Sequence, residues 1–150
     1  MGCVAKLSNN LALAIQMISV AEAMTFGTSL GMDPNVLASI MNTSSASCWA
    51  STVNHPVPGV MPVETAPANN NYAGGFASKL MLKDLSLALA QQKSPSSSPP
   101  FSSLQGQTIT FLPLATAASE LYTQVVAAGD GAKDFGVIYR HLKNRQGSSS

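Results

Sequence analysis

From Gly2 to Gly31 the chain carries one basic and one acidic side chain, Lys6 and Glu22, in a long stretch dominated by Leu, Ala, Ile, Met and Val. No other segment so narrows the fold. A helix that is apolar on every side must be wrapped on every side, either by protein or by lipid. The strongly apolar part, Leu11 to Phe26, falls short of the roughly 20 residues that a bilayer asks for, and Gln16, Ser19 and Glu22 interrupt it. Nor do Lys6 to Asn10 read as the charged start of a signal peptide with a cleavage site behind it. The expectation is a helix from about Cys3 to Leu30, central to an all-α domain, with no membrane partner.

Composition points the same way. The chain has 150 residues, enough for one domain with a sizeable core. Its apolar fraction is 45% and its charged fraction 10%, against about 25% charged in an average soluble domain. Part of the surface is therefore expected to be covered by another domain or subunit. A formal net charge of +1 leaves no electrostatic footprint for nucleic acid or an anionic membrane. Cys3 and Cys48 form no framework and read as reduced thiols. His55 and His141 lack ligand spacing, so no metal is expected.

Punctuation divides the rest into short helices. Gly27 and Gly31 close the first one. Asp33-Pro34 has the N-cap and first-position pair that opens a second, from Asn35 to about Met41. A break at 42–45 precedes a brief helix over Ser47 to Val53, with Trp49 in the core. Asn54 to Gly75, rich in Pro, Asn and Gly, is expected to be a long ordered loop, with Gly74-Gly75 the turn that leads out of it. Phe76 to Gln92 returns to helical spacing, with Leu80, Leu85, Leu87 and Leu89 apolar and Lys79, Lys83 and Asp84 polar. Ser94 to Gln105 is low-complexity and expected to be poorly ordered. Gln107 to Phe111 has a strand-like composition without a partner strand. Pro113 to Ala128 is a helix, and Asp134 caps a last one through about Leu142, with Phe135, Val137, Ile138 and Leu142 inward. Met17, Met24, Met32 and Met41 read as core filler.

Chemistry-bearing side chains are few. Lys6, Asn9 and Asn10 stand three and four residues apart and share one helical face. A lysine beside two carboxamides can grip a small polar anion, or pass a proton to and from a hydroxyl. From spacing alone Lys6 is as well a solvated lysine, Asn9 and Asn10 are as well local capping residues, and Lys83 is as well a surface lysine paired with Asp84.

The residues Ala5-Lys6-Leu7-Ser8-Asn9-Asn10, Ala21-Glu22-Ala23-Met24 and Gly27 to Pro34 resemble the C-terminal domain of the β-hydroxyacid dehydrogenases. Ser44 to Trp49, Asn54 to Val60, Asn70 to Phe76, Leu80 to Leu85 and Lys133-Asp134-Phe135 narrow the resemblance to the 3-hydroxyisobutyrate dehydrogenase branch. The resemblance is dense from Gly2 to Gln91 and looser from Pro113 to Leu142. It implies a 6-phosphogluconate dehydrogenase-like helical domain over 1–144, which a low-complexity insertion at about 93–111 interrupts, and the polar residues 145–150 are expected to be a disordered tail. It also implies NAD-dependent oxidation of 3-hydroxyisobutyrate to methylmalonate semialdehyde in valine breakdown. Lys6 matches the catalytic lysine, Asn9 and Asn10 the substrate-holding carboxamides, Lys83 the lysine that reaches the cofactor, and Asp134 a motif that closes over the substrate. The implied partners are a small hydroxyacid, an N-terminal Rossmann domain and further copies of the chain. The implied location is the mitochondrial matrix in a eukaryote and the cytoplasm otherwise.

Two departures stand beside this resemblance. No glycine fingerprint follows a strand and opens a helix, so the Rossmann half, which would hold most of the NAD, is expected to be absent. The Ser/Pro-rich stretch adds roughly fifteen residues, a length typical of a disordered insertion. Two functions therefore remain: the substrate half of a dehydrogenase, inactive when isolated, or a non-catalytic all-α dimerisation module left from one.

Overall fold

The computed structural model describes residues 2–60, 66–93 and 111–146. The protein is all-α, and among the described residues the sole β feature is an isolated antiparallel bridge between Ala77 and Asp134. The first helix, α1 (Gly2–Ser29), is the axis of the fold. It is long and apolar enough, by length and composition, to cross a membrane. Here it packs against α2 (Pro34–Thr43), α3 (Trp49–Thr52), α4 (Ser78–Lys93), α5 (Pro113–Val125) and α6 (Ile138–Gln146). Ala14, Met17, Val20, Ala21 and Met24 are almost completely buried along one face of the helix, whereas Ala12, Gln16, Ser19, Glu22 and Phe26 on the opposite face are exposed, so the helix is not wrapped on every side as its composition suggests.

Gly31 ends α1 at φ +88°, with Gly31 N–H donating to Thr28 O at 3.1 Å and Met32 N–H to Gly27 O at 3.0 Å. This paired closure returns two of the last carbonyls to hydrogen bonding and needs a residue that tolerates a left-handed backbone. Asp33 then accepts from Asn35 N–H at 2.8 Å and Val36 N–H at 3.1 Å, capping α2.

The loop after α3 is ordered where described. Asn54, His55, Pro56 and Val57 are buried, Tyr72 Oη donates to the Pro56 carbonyl at 2.8 Å, and Pro67–Asn70 forms a 3-10 turn. Gly74 and Gly75, at φ +82° and +64°, turn the chain into α4. Ser78 N–H donates to Lys133 O at 2.7 Å and Lys79 N–H to Gly131 O at 2.9 Å. The segment before α6 thereby satisfies two N–H groups that the start of α4 leaves open.

Several sequence expectations are corrected. Trp49 is 46% exposed, because it opens a four-residue helix whose inward positions are Ala50 and Ser51. Met32, in the turn after α1, is 38% exposed rather than core. On α4 the inward positions are Met81, Asp84 and Leu85, while Leu80 and Leu87 face outward. The helix from Pro113 passes at Val125 into a π turn, Val126–Asp130, with Gly129 at φ +90°. Asp134 caps a 3-10 turn, Phe135–Val137, which α6 continues to Gln146, four residues beyond the expected end at Leu142. The low-complexity stretch Ser94 to Gln105 and residues 147–150 of the tail lie outside the described residues.

Candidate active site

The N-terminal third of α1 sets out the side chains singled out from spacing. Residues 2–29 are helical, so Lys6, Asn9 and Asn10 do share a face. Lys6 and Asn9 are exposed, whereas Asn10 is buried against α4. There Asn10 Nδ2 donates to Asp84 Oδ2 at 2.7 Å, joining positions 74 residues apart in sequence. Asn9 Nδ2 donates to Asn10 Oδ1 at 3.3 Å. On the far side of Asp84, Lys83 Nζ lies 3.9 Å from Oδ1 and is largely exposed. The α1–α4 seam thus links two carboxamides, a buried carboxylate and an ammonium, with Lys6 one turn before Asn10. The exposed members can meet a polar ligand, and the buried ones hold them in register. Sequence reasoning missed Asp84. Its signal was there, next to Lys83, but a charged residue beside a lysine on a helix reads as surface until the partner helix is known.

Asp134 sits elsewhere in the fold. Its side chain is buried, and both oxygens are occupied: Oδ1 accepts from Asn54 Nδ2 at 3.1 Å and Gly136 N–H at 2.8 Å, and Oδ2 from Phe76 N–H at 2.8 Å. Its own N–H donates to Tyr72 O at 2.8 Å. Burial pushes the carboxyl above its usual range, and the donors on Gly136, Phe76 and Asn54 pull in the opposite direction. The structure does not join Asp134 to the Lys6 and Asn10 group by any hydrogen bond or ion pair. It acts as a buckle holding three segments together.

Around the buckle lie further groups without an evident chemical task. Arg140 pairs with Asp130 at 2.9 Å and lies over the Tyr72 ring at 5.4 Å. His55 accepts from Val57 N–H through Nδ1 at 3.2 Å, which places the ring proton on Nε2, a buried atom with no hydrogen-bond partner. Among the described residues no group of His, Cys, Asp and Glu could hold a metal ion, and both cysteines are free.

Comparison with known proteins identifies the architecture. A family described as "NAD-binding of NADP-dependent 3-hydroxyisobutyrate dehydrogenase" matches residues 1–142. The chain is 49% identical, over 99% of its length, to a Dictyostelium discoideum protein named "Probable 3-hydroxyisobutyrate dehydrogenase, mitochondrial", of which it covers 42%. It is 41% identical, over 97% of its length, to human mitochondrial 3-hydroxyisobutyrate dehydrogenase, covering 39% of it. The solved structure of Mycobacterium tuberculosis 3-hydroxyisobutyrate dehydrogenase with L-serine superposes with a TM-score of 0.74 at 33% identity, covering 93% of this chain and 43% of that one. The chain therefore spans about two-fifths of the length of the curated relatives it matches. NAD binding is a property of the family by its own description. The helical order of the fold and a match along nearly the whole chain agree: this protein belongs to the family of NAD-binding domains of NADP-dependent 3-hydroxyisobutyrate dehydrogenase.

Proposed function

We propose that this chain is the substrate half of an NAD-dependent 3-hydroxyisobutyrate dehydrogenase acting on an intermediate of valine breakdown, in the mitochondrial matrix of a eukaryote or otherwise in the cytoplasm. The observation that carries the reading is the α1–α4 seam. It links the Asn9–Asn10 pair through buried Asp84 to Lys83, and Lys6 stands one helical turn before Asn10 on α1, which supports the reading. Oxidation of the primary alcohol to methylmalonate semialdehyde removes a hydride from carbon and a proton from oxygen. NAD supplies the hydride acceptor when bound. Lys6, entering the step as its neutral amine, takes the hydroxyl proton and becomes the ammonium, Asn9 and Asn10 hold the substrate's polar groups, and Lys83 would face the cofactor as a cation on an exposed stem. Asp134, which the resemblance places in a motif that closes over the substrate, would act by keeping the surrounding loops closed, since it is buried and both of its oxygens already accept hydrogen bonds.

Most of the dinucleotide would be held by a Rossmann domain from outside these 150 residues. Joined to the portion of the Dictyostelium relative that it does not cover, the chain should reduce NAD in the presence of 3-hydroxyisobutyrate. By itself it should not. In the joined protein Lys6→Ala should lower turnover by more than tenfold with NAD affinity nearly intact, and Lys83→Ala should weaken NAD binding. Retention of more than about a tenth of the turnover by Lys6→Ala, a barrier change under roughly 1.4 kcal/mol, removes Lys6 from the chemistry.

One observation favours a second reading, an all-α module that joins copies of the chain. At the far end of α1 and along α2, Phe26, Leu30, Val36 and Ile40 are 67%, 73%, 52% and 49% exposed. The two readings are compatible, since the apolar face lies on the part of α1 remote from Lys6.

A further inference from the structure

The geometry points to Asp84 as a positioning residue for substrate binding, acting through the Asn10 carboxamide; this inference rests on the proposed function. Asp84 is 5% exposed and Asn10 9%, and their 2.7 Å hydrogen bond crosses the α1–α4 seam. A carboxamide looks nearly the same to its neighbours in either of two orientations, and only its hydrogen-bond partners choose between them. An ionised carboxylate accepts and never donates. Opposite Asp84, Asn10 must therefore present its nitrogen to α4 and turn Oδ1 toward Asn9, where it accepts at 3.3 Å. The remaining Nδ2 proton and the second lone pair of Oδ1 then have fixed directions. A hydroxyacid meets one donor and one acceptor in a known order instead of an averaged pair.

A buried negative charge at a site for an anionic substrate is otherwise hard to explain. Through space alone, Asp84 repels a carboxylate, so a neutral residue there should tighten binding. If its task is orientation, the outcome depends on whether an acceptor remains. Asp84→Asn keeps an oxygen for Asn10 Nδ2, and its own amide meets Lys83, whose exposed stem can move away. Asp84→Leu has a similar shape and no acceptor, leaving the Asn10 carboxamide free to take both orientations.

The test is an NMR titration of the isotope-labelled 150-residue chain with 3-hydroxyisobutyrate, for wild type, Asp84→Asn, Asp84→Leu, Asn10→Ala and the Asn10→Ala/Asp84→Leu pair. Thermal melts check that each variant folds. We expect Asp84→Leu to bind at least tenfold more weakly and Asp84→Asn to keep most of the affinity. The double variant should be no weaker than Asn10→Ala alone, because Asp84 acts only through Asn10. Equal behaviour of the two neutral variants, tighter binding by both, or additive losses in the double variant would overturn the proposal. The Asn10 side-chain amide gives a reading that needs no ligand. The Nδ2 proton that bonds to Asp84 should be shifted downfield and protected from exchange with water in wild type and Asp84→Asn, and should return toward free-amide values in Asp84→Leu. If the unsubstituted chain shows no response to 3-hydroxyisobutyrate, that counts against the proposed function, and the amide signal alone decides for or against Asp84. An Asn10 amide unchanged in Asp84→Leu overturns it.

Discussion

Asp134 concentrates more of the fold in one side chain than any other residue described. Three donors from three segments converge on it, so Asp134→Ala leaves Asn54 Nδ2 and two backbone N–H groups unpaired. At about 1–3 kcal/mol for each buried donor left unsatisfied, the substitution should cost at least about 3 kcal/mol in denaturant unfolding. Asp134→Asn should cost less, since one oxygen survives. The pH dependence has a definite sign. Burial raises the carboxyl of Asp134 above its unfolded value near 3.8, so the folded state holds its proton more tightly. The associated stabilisation is complete below about 3.8 and is lost as pH rises through the raised folded value. The penalty of Asp134→Asn should therefore be smaller at pH 7 than at pH 4. His55 runs the other way. Burial lowers its pKa from 6.5, so the unfolded chain takes up the proton first. Stability from the neutral ring is present above pH 6.5 and falls as pH drops through the lowered folded value. Ring NMR should give a midpoint below 6.5, and a midpoint at or above it would contradict the buried geometry.

Among the elements, the turn into α4 is the least tolerant of change. Gly74 and Gly75 both have positive φ, but their surroundings differ. A Cβ on Gly74 would meet nothing within 4 Å, whereas one on Gly75 would overlap Asp134 Oδ2 and sit 2.8 Å from Pro67 Cγ. Gly74→Ala should thus cost about 1–2 kcal/mol, the backbone term alone. Gly75→Ala should cost more, because it also pushes on the buckle, and a melting comparison of the two reads the difference. A smaller loss for Gly75→Ala than for Gly74→Ala would mean that the buckle is not under steric control. Gly27 plays a comparable part on α1, where an added Cβ would run into the Leu37 side chain of α2. There the requirement is close approach rather than backbone freedom.

For the molecule as a whole, the question is what covers its apolar surface. Phe26, Leu30, Val36 and Ile40 form an exposed apolar face on the end of α1 and on α2, with Asp33 the one charged side chain between them. Such a face on a chain with 10% charged residues suits contact with a second copy. Sedimentation should show self-association of the wild-type chain and a shift to monomer in Leu30→Glu. A wild-type chain that stays monomeric at high concentration would leave that face to another partner.

The amino-acid sequence by itself determined the helical class, the axial helix, the Asp33 cap and the glycine turns. Each of these depends on neighbours within a few residues, and local backbone chemistry acts over that range. It also set Lys6, Asn9 and Asn10 on one face, because a helix converts spacing directly into direction. What spacing cannot carry is which face another helix will cover. Tertiary packing alone placed Asp84 against Asn10, from 74 residues away, and turned an apparent surface charge into a buried acceptor. It likewise left Trp49 and Met32 outside, since burial follows from what packs on a position and not from its hydrophobicity. Asp134 shows both sides of the boundary. Its capping role was legible from its place before a helix, but its partners Asn54 and Phe76 come from distant loops that meet only when the chain is folded.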